Sequence, residues 1–436
     1  MTTTAPARCD LLIIGAGPAG MAAALAAAPS GMRIVVVDDN PAPGGQIWRD
    51  GPGVQLPPLA RQHRNALAQH ANIEVLSGTR VIGLGDRANV SDAASLILEN
   101  ATRGWTQHAG RLILCTGARE LLLPFPGWTL PGVTGAGGLQ ALIKAGLEVR
   151  GQRIVIAGTG PLLLAAASTA RKAGAQVLRV AEMTSWGALA AFAAQLLRWP
   201  AKAWQAPTLL PPSLRANAHV LEALGSSQVE GVRLRRGSNV ELLECERIAC
   251  GFGLVPNTHL GQMLGCRIGE RNGLDIDALM QTGVPGIYAA GECTGFGGSE
   301  RALVQGAMAG YAAAGEPDAA QALQHPLARW NAFADALHRH FPLRAEALAA
   351  LPRPDTFVCR CEDVAHGALQ HRSSWIDAKL HTRCGMGACQ GRICGAAAQV
   401  LYGWTPQPAR HLLSPARIAT LADAGSEPSQ ESIPLT

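Results

Sequence analysis

The apolar positions of this chain fall into short blocks of strand length, separated by alanine- and glycine-rich stretches. Residues 11–14 (LLII) form an apolar run without polar alternation, which predicts a strand buried on both faces. An alanine-rich segment follows Gly15, Gly17 and Gly20 and predicts a helix; residues 34–37 (IVVV) predict a second buried strand, ending at Asp38. The same order returns further on. Residues 153–157 predict a strand, Gly158, Gly160 and Leu163 open an alanine-rich helix, and residues 177–181 predict a strand that ends at Glu182. Residues 73–84 (IEVLSGTRVIGL) read as a strand pair, and residues 39–48 as a loop broken by two prolines and two glycines. Residues 311–350, rich in Ala, Leu and Gln, read as helices that stop at the prolines of 351–354. The polar segment 425–436 reads as a flexible tail.

The first block carries chemistry. Gly15, Gly17 and Gly20 have the GxGxxG spacing between a strand and a helix, with an acid closing the second strand. Gly15 permits the tight turn, Gly17 lets backbone approach a pyrophosphate, and Gly20 lets the helix pack close to the strand. The first turn of the helix that starts at Pro18 offers unpaired N–H groups, from Ala19 onward, to phosphates. Asp38 is placed to accept the ribose hydroxyls of a bound dinucleotide, with Asp39 beside it. A competing reading exists, because residues 11–28 are nearly free of polar side chains and follow Arg8, as in a secretory signal or a membrane span. Three glycines and Pro18 inside the run weigh against a spanning helix.

At 436 residues the chain suits about two or three domains. Its 48% hydrophobic content and 50 glycines favour a glycine-rich α/β protein. A net charge of +5 without a basic block gives no reason to expect nucleic acid or an anionic membrane as partner. The 11 cysteines are uneven: Cys9, Cys115, Cys245, Cys250, Cys266 and Cys293 are scattered and read as small buried hydrophobes, while five crowd into residues 359–394. An odd total and a tight cluster predict a reducing compartment, the cytoplasm, and a metal site in place of a disulfide framework.

In that cluster Cys359 and Cys361 form a C-x-C pair, and Cys389 and Cys394 supply a second pair. Four thiolates from two short loops can surround a [2Fe-2S] cluster. Gly385, Gly387 and Gly391 allow backbone N–H groups to turn toward its sulfurs. Zinc is the alternative, although neither pair has the usual C-x2-C knuckle spacing.

Five ordered motifs between about residues 10 and 315 resemble the two-dinucleotide-binding flavoproteins related to thioredoxin reductase. They are the first fingerprint with its GGQ loop (Gly44, Gly45, Gln46), the segment 73–84, RLILCTGAR at 111–119, CGFGLVPNT at 250–258 and GVPGIYAAGE at 283–292. The resemblance implies FAD along Gly45 and Gln46, backbone contacts to adenine near Val81, a turn past the cofactor at Thr116 and Gly117, and a ribityl contact at Gly291 and Glu292. Glu292 stands where that family usually has Asp, one methylene shorter. The redox Cys-x-x-Cys pair of the disulfide reductases is missing. The second fingerprint reads either as a working NADH site, with Glu182 on the ribose, or as a retained scaffold. Leu163 in place of the third glycine favours the scaffold and should push helix and strand apart.

The cysteine run (TRCGMGACQGRIC, 382–394) resembles the [2Fe-2S] domain of bacterioferritin-associated ferredoxin, which carries the ligands onto Cys359, Cys361, Cys389 and Cys394; Cys384, at a variable position of that run, reads as a bystander or a substitute ligand, the bystander being favoured. The whole order resembles the α subunits of the heteromeric amino- and imino-acid dehydrogenases, the group of hydrogen cyanide synthase, D-hydroxyproline dehydrogenase, opine oxidases and heterotetrameric sarcosine oxidase. The fold class implied is α/β: a Rossmann-like two-domain FAD/NAD(P)-binding flavoprotein with a small helical [2Fe-2S] domain. Its expected parts are an FAD-binding domain (1–123 and 250–320), a degenerate NAD(P)-binding-like domain (124–249), a helical linker (321–354) and the cluster domain (355–424). The resemblance further implies a D-amino-acid-oxidase-like β subunit that oxidises the substrate, a small third subunit, and an electron acceptor through which the chain would meet the inner membrane, with no transmembrane segment. In some relatives the first site holds NAD or ATP, and FMN sits at the subunit interface. Two other classes stay open: a self-sufficient NADH-dependent reductase, and a scaffold that only holds a nucleotide.

Overall fold

The computed structural model describes residues 7–86, 92–405 and 412–425; the tail 426–436 lies outside the described residues. The first sheet contains β1 (Ala7–Ile14), β2 (Ile34–Asp38), β3 (Ile73–Ser77), β4 (Arg80–Leu84), β5 (Ala94–Glu99) and β6 (Gly104–Leu114), in the order β3-β2-β1-β6-β5-β4. The strands β3, β2, β1 and β6 are parallel, and β5 and β4 are antiparallel. β6 is long enough to serve two neighbours on one edge. Its first half pairs with β5 and its last residues with Ile287–Ala289, a strand from far down the chain. The segment 73–84 is therefore two strands but no hairpin: β3 and β4 lie at opposite ends of the sheet order.

The helix Pro18–Ala27 explains the unbroken apolar run that opens the chain. It is covered on one side by the sheet and on the other by the helix Ser299–Ala314. That second helix comes close because of its glycines. A Cβ at Gly306 would meet the Ala19 carbonyl oxygen at 2.1 Å, and one at Gly310 that of Ala23 at 2.2 Å. A helix covered on both sides is apolar all round, so the targeting reading of residues 11–28 is corrected: they are a buried strand and a buried helix. Among the described residues no helix is long and apolar enough to cross a membrane.

The chain leaves through β7 (Ala118–Glu120) into a second parallel sheet made of β8 (Val133–Gly135), β9 (Arg153–Gly158), β10 (Gln176–Glu182), β11 (Leu214–Ala216) and a strand reached after an antiparallel meander. The meander is β12 (Ala218–Leu224), β13 (Gly231–Arg236) and β14 (Asn239–Glu244); β15 (Arg247–Gly251) then enters between β9 and β8. β16 (Leu254–Pro256) returns antiparallel to β7. Cys250 and Gly251 pair with Ala157 and Gly158, so the second half runs through β15 and the return lies just beyond the expected Cys250. Leu163 does not force helix and strand apart. It is fully buried, and the facing strand makes room with Gly251, where a Cβ would meet Leu163 Cδ2 at 2.9 Å.

The helix Gln324–His340 is more than a connector, because Phe333 and Phe341 pack on Phe192 and Trp199 of the second half. The cysteine domain has a small hairpin (Phe357–Cys359 with Val364–Ala365) and the helices Trp375–Thr382 and Cys394–Tyr402 around Val358, Leu369, Trp375 and Ala398. Its expected end at residue 424 is corrected. Residues 412–425 return to the first sheet, where Leu413 N–H donates to the Ile82 carbonyl at 2.7 Å and Thr420 Oγ1 to Glu99 Oε2 at 2.7 Å. Glu99 is a buried carboxylate and needs those donors.

Candidate functional site

The first centre is built on the glycine loop. Gly15 sits at φ +105°, and a Cβ there would meet the Cys115 carbonyl oxygen at 2.2 Å. Gly20 backs onto the loop itself, its Cβ position 1.8 Å from the Gly15 carbonyl oxygen. Gly17 differs: it is half-exposed, and its Cβ position has only Gly45 Cα nearby, at 3.9 Å. The GGQ loop thus lies against Gly17. Gln46 Oε1 accepts from Arg49, whose guanidinium also donates to Asn40 Oδ1 at 2.9 Å.

Asp38 is buried and turned inward. Its Oδ2 accepts from Ala16 N–H at 2.6 Å and its Oδ1 from Asn40 N–H at 2.8 Å, so the carboxylate fastens the loop and the turn after β2. The exposed carboxylate at the strand end is Asp39. Thr79 N–H donates to the Asp38 carbonyl at 2.9 Å, which brings β4 and Val81 to this end of β2.

The remaining expected residues gather on the other side of the loop. Thr116 and Gly117 directly follow Cys115, which Gly15 touches. Asn257 clamps this turn: its Nδ2 donates to the Thr116 carbonyl and its N–H to the Gly117 carbonyl, both at 2.9 Å. Gly291, at φ +81°, packs over Ala19, and its N–H donates to Gln305 Oε1 at 3.0 Å. Burial pushes the Glu292 carboxyl up, and the Arg301 guanidinium draws it back. Asn257 and Gln305 join the site without being among its sequence-read residues. Asn257 is visible inside the 250–258 motif; Gln305 has no signal beyond a lone amide among small apolar residues of a helix.

The second fingerprint is closed on itself. Glu182 is buried, accepting from Gly160 N–H and Thr184 N–H, each at 2.9 Å, as Asp38 does in the first. Phe341 stands over the loop, with its Cβ 4.0 Å from the Cβ position of Gly160.

The third centre is sulfur. The Sγ atoms of Cys359, Cys384 and Cys394 lie within 4.8 Å of one another, all buried. Cys389, half-buried, touches Cys394 and the exposed Cys361. All five C-terminal cysteines thus form one chain of contacts, Cys384 among them. The left-handed turn at Arg383 (φ +65°) and Gly385 (φ +80°) after the helix Trp375–Thr382 swings its thiol inward. Hydrogen bonds from Cys384 and Cys394 hold the Cys359 thiol down at about 2, and Cys394 holds Cys389 at about 5. Cys384 is pushed up to about 12 by Cys359, and Cys394 rises too. Backbone N–H groups of Gly385 and Glu362 point at Cys359, and those of Gly391 and Ile393 at Cys389. Crowded thiols that share protons, with amides aimed at them, fit a metal–thiolate centre. The six scattered cysteines are buried and unpaired, as expected of small apolar side chains.

The model of the pyridine nucleotide-disulphide oxidoreductase family matches residues 9–312. An opine oxidase subunit of Agrobacterium tumefaciens is 31% identical over 435 residues, covering 89% of this chain and 84% of that protein. Hydrogen cyanide synthase subunit HcnB of Pseudomonas aeruginosa is 30% identical over 426 residues, covering 88% of this chain and 90% of that protein. The crystal structure of L-proline dehydrogenase from P. horikoshii shares the fold, with a TM-score of 0.65 at 18% identity over 95% of this chain and 79% of that one.

Proposed function

Since the chain belongs to the pyridine nucleotide-disulphide oxidoreductase family, we propose that it is the electron-transferring subunit of a heteromeric amino- or imino-acid dehydrogenase, with FAD on the first fingerprint and a [2Fe-2S] cluster on the C-terminal cysteines. It is a flavin-dependent oxidoreductase and a subunit of a multi-subunit flavin dehydrogenase, as relatives named as subunits of opine oxidase and of hydrogen cyanide synthase indicate. The observation that carries the finer reading is the gathering of five sulfurs and their amides in one chain with a nucleotide-binding flavoprotein half.

In this reading Gly17 and the helix start at Pro18 and Ala19 hold the pyrophosphate, and Asp39 takes the ribose while Asp38 secures the loop. The turn at Thr116 and Gly117 borders the isoalloxazine, Gly45 and Gln46 flank the chain of the flavin, and Gly291 and Glu292 meet its ribityl group. Cys359, Cys361, Cys389 and Cys394 hold the cluster, with Cys384 within reach. When bound, flavin accepts two electrons as a hydride and a [2Fe-2S] centre takes them singly. Substrate oxidation, of an opine or D-hydroxyproline, falls to a D-amino-acid-oxidase-like partner subunit. The position of Phe341 over the second glycine loop speaks against a self-sufficient NADH reductase.

The test is the content of the chain purified without oxygen. Iron and acid-labile sulfide in equal amounts together with FAD, and no turnover of opine, D-hydroxyproline or glycine by the chain alone, are expected. Zinc without sulfide, or full-rate oxidation without a partner, overturns the proposal. An adenine nucleotide without isoalloxazine would move the flavin to a subunit interface.

A further inference from the structure

Two arginines stand where the turn at Thr116 and Gly117 meets the cysteine loop. Arg119 lies in β7, directly after that turn. Its Nε donates to the Arg392 carbonyl at 3.0 Å and its guanidinium to Asn257 Oδ1 at 3.0 Å, the same Asn257 that clamps Thr116 and Gly117. Arg392 lies between Cys389 and Cys394, and its guanidinium donates to the Leu413 carbonyl. A single chain of hydrogen bonds therefore joins the flavin turn to the sulfur loop.

The charges on this chain are unbalanced. Both guanidinium groups are half-buried, and burial together with Arg392 brings Arg119 down to about 10. Among the described residues neither pairs with a carboxylate; their acceptors are carbonyls and one amide. The neighbouring His259 is held at about 4 by burial and by these two cations, so it adds no third positive charge at neutral pH. Desolvating two like charges side by side is costly unless an anion joins them. The sulfur loop is what they flank: Arg392 sits in the chain between Cys389 and Cys394, and Arg119 is tied to its carbonyl. A [2Fe-2S] cluster on four thiolates is a dianion, and reduction adds one more negative charge.

We propose that Arg119 and Arg392 are the counter-charges of the cluster: they raise its reduction potential and hold its Cys389–Cys394 loop against the flavin turn. The assignment rests on the cluster reading above. Opposite charges in a partly desolvated site favour the more negative redox state, so the electron is drawn from the reduced flavin toward the cluster. The two arginines are positioning residues, since they touch neither substrate nor the reacting atoms.

The experiment is a potentiometric titration of the reduced cluster's electron paramagnetic resonance signal, in wild type, Arg119→Met, Arg119→Lys and Arg392→Met, all purified without oxygen and assayed for iron and sulfide. Arg119→Met and Arg392→Met are expected to keep the signal with a midpoint shifted to more negative potential, and Arg119→Lys to return it toward wild type. Loss of iron in Arg119→Met but not in Arg119→Lys would also support the role of charge. Full iron with an unchanged midpoint in both methionine variants overturns the proposal, as does the same shift in Arg119→Lys and Arg119→Met, which would mean a purely structural tie. A wild-type chain without sulfide overturns the cluster reading itself, an outcome separate from either of these.

Discussion

Gly17 and Gly20 stand in one fingerprint and answer to different constraints. A methyl group on Gly20 would lie 1.8 Å from the Gly15 carbonyl oxygen, which is backbone and cannot step aside. Gly20→Ala is therefore expected to cost about 1–3 kcal/mol or more of stability by overpacking, as well as the nucleotide. A methyl on Gly17 meets no such wall, so Gly17→Ala should melt as the apo wild type does and still bind FAD weakly. Melting curves of the nucleotide-free proteins with FAD titrations separate the two; equal melting points would refute the distinction. The aspartates divide likewise. Asp38→Ala removes the acceptor of a buried N–H and should destabilise by about 1–3 kcal/mol. Asp39→Ala should lower FAD affinity and leave stability within about 0.5 kcal/mol. The spacing of glycines and acid was legible in the sequence because it is a local rule. Which of two adjacent carboxylates turns inward was not, since the acceptor of Ala16 N–H is chosen by the folded turn.

At the scale of elements, periodicity and apolar runs sufficed for the buried strands of both sheets, and failed where a partner from elsewhere decides. Leu163 reads as a fault in the second fingerprint because Gly251, its complement, lies far along the chain on β15. Leu163→Gly restores the motif on paper, yet it empties a buried site and should cost about 2–5 kcal/mol. It should gain no flavin reduction by NADH, since Phe341 still stands over the loop; anaerobic bleaching of the flavin would contradict that. The helix Ile418–Gly425 belongs with the first sheet and not with the cysteine domain for a similar reason. Its anchor is Glu99 on β5, where burial works to raise the carboxyl but hydrogen bonds from Thr420, the Arg417 amide and the Arg80 guanidinium hold it at about 2, below its ordinary 4.5. A depressed carboxyl stabilises fully above its unfolded value and loses that contribution as pH falls from 4.5 through about 2. The helix should therefore lose hydrogen-exchange protection across that window in wild type. In Glu99→Gln it should be weakly protected already at neutral pH and show less change; identical profiles for the two proteins would sink the assignment.

At the scale of the molecule, one sheet is split by the insertion of another, an arrangement that follows chain order and is therefore visible in the order of motifs. What the inserted half now packs against was not readable, since complementary surfaces far apart in sequence leave no local pattern. The structure gives that half a second role as the seat of the cysteine domain. Leu348 and Ala397 enter the same apolar cluster as Phe125, Val220 and Phe252, and Ile393 and Val400 pack at its edge. Trp128 Nε1 donates to the Phe357 carbonyl at 2.6 Å, the Arg360 guanidinium lies 5.3 Å from the Trp128 ring centre, and Arg353 pairs with Glu222. Phe357 and Arg360 bracket Cys359, so a single buried tryptophan of the second half holds the strand that carries Cys359. Trp128→Ala removes that ring and leaves the Phe357 carbonyl without its donor, at a cost of about 3–5 kcal/mol. The loss falls on the contact between the two units and not on the nucleotide loop. The variant should thus keep its FAD while protease cleavage within residues 351–356 speeds up and iron is lost faster on exposure to a chelator. Wild-type rates for both would mean that the cysteine domain holds its place without the second half, and the retained fold of that half would then need another reason.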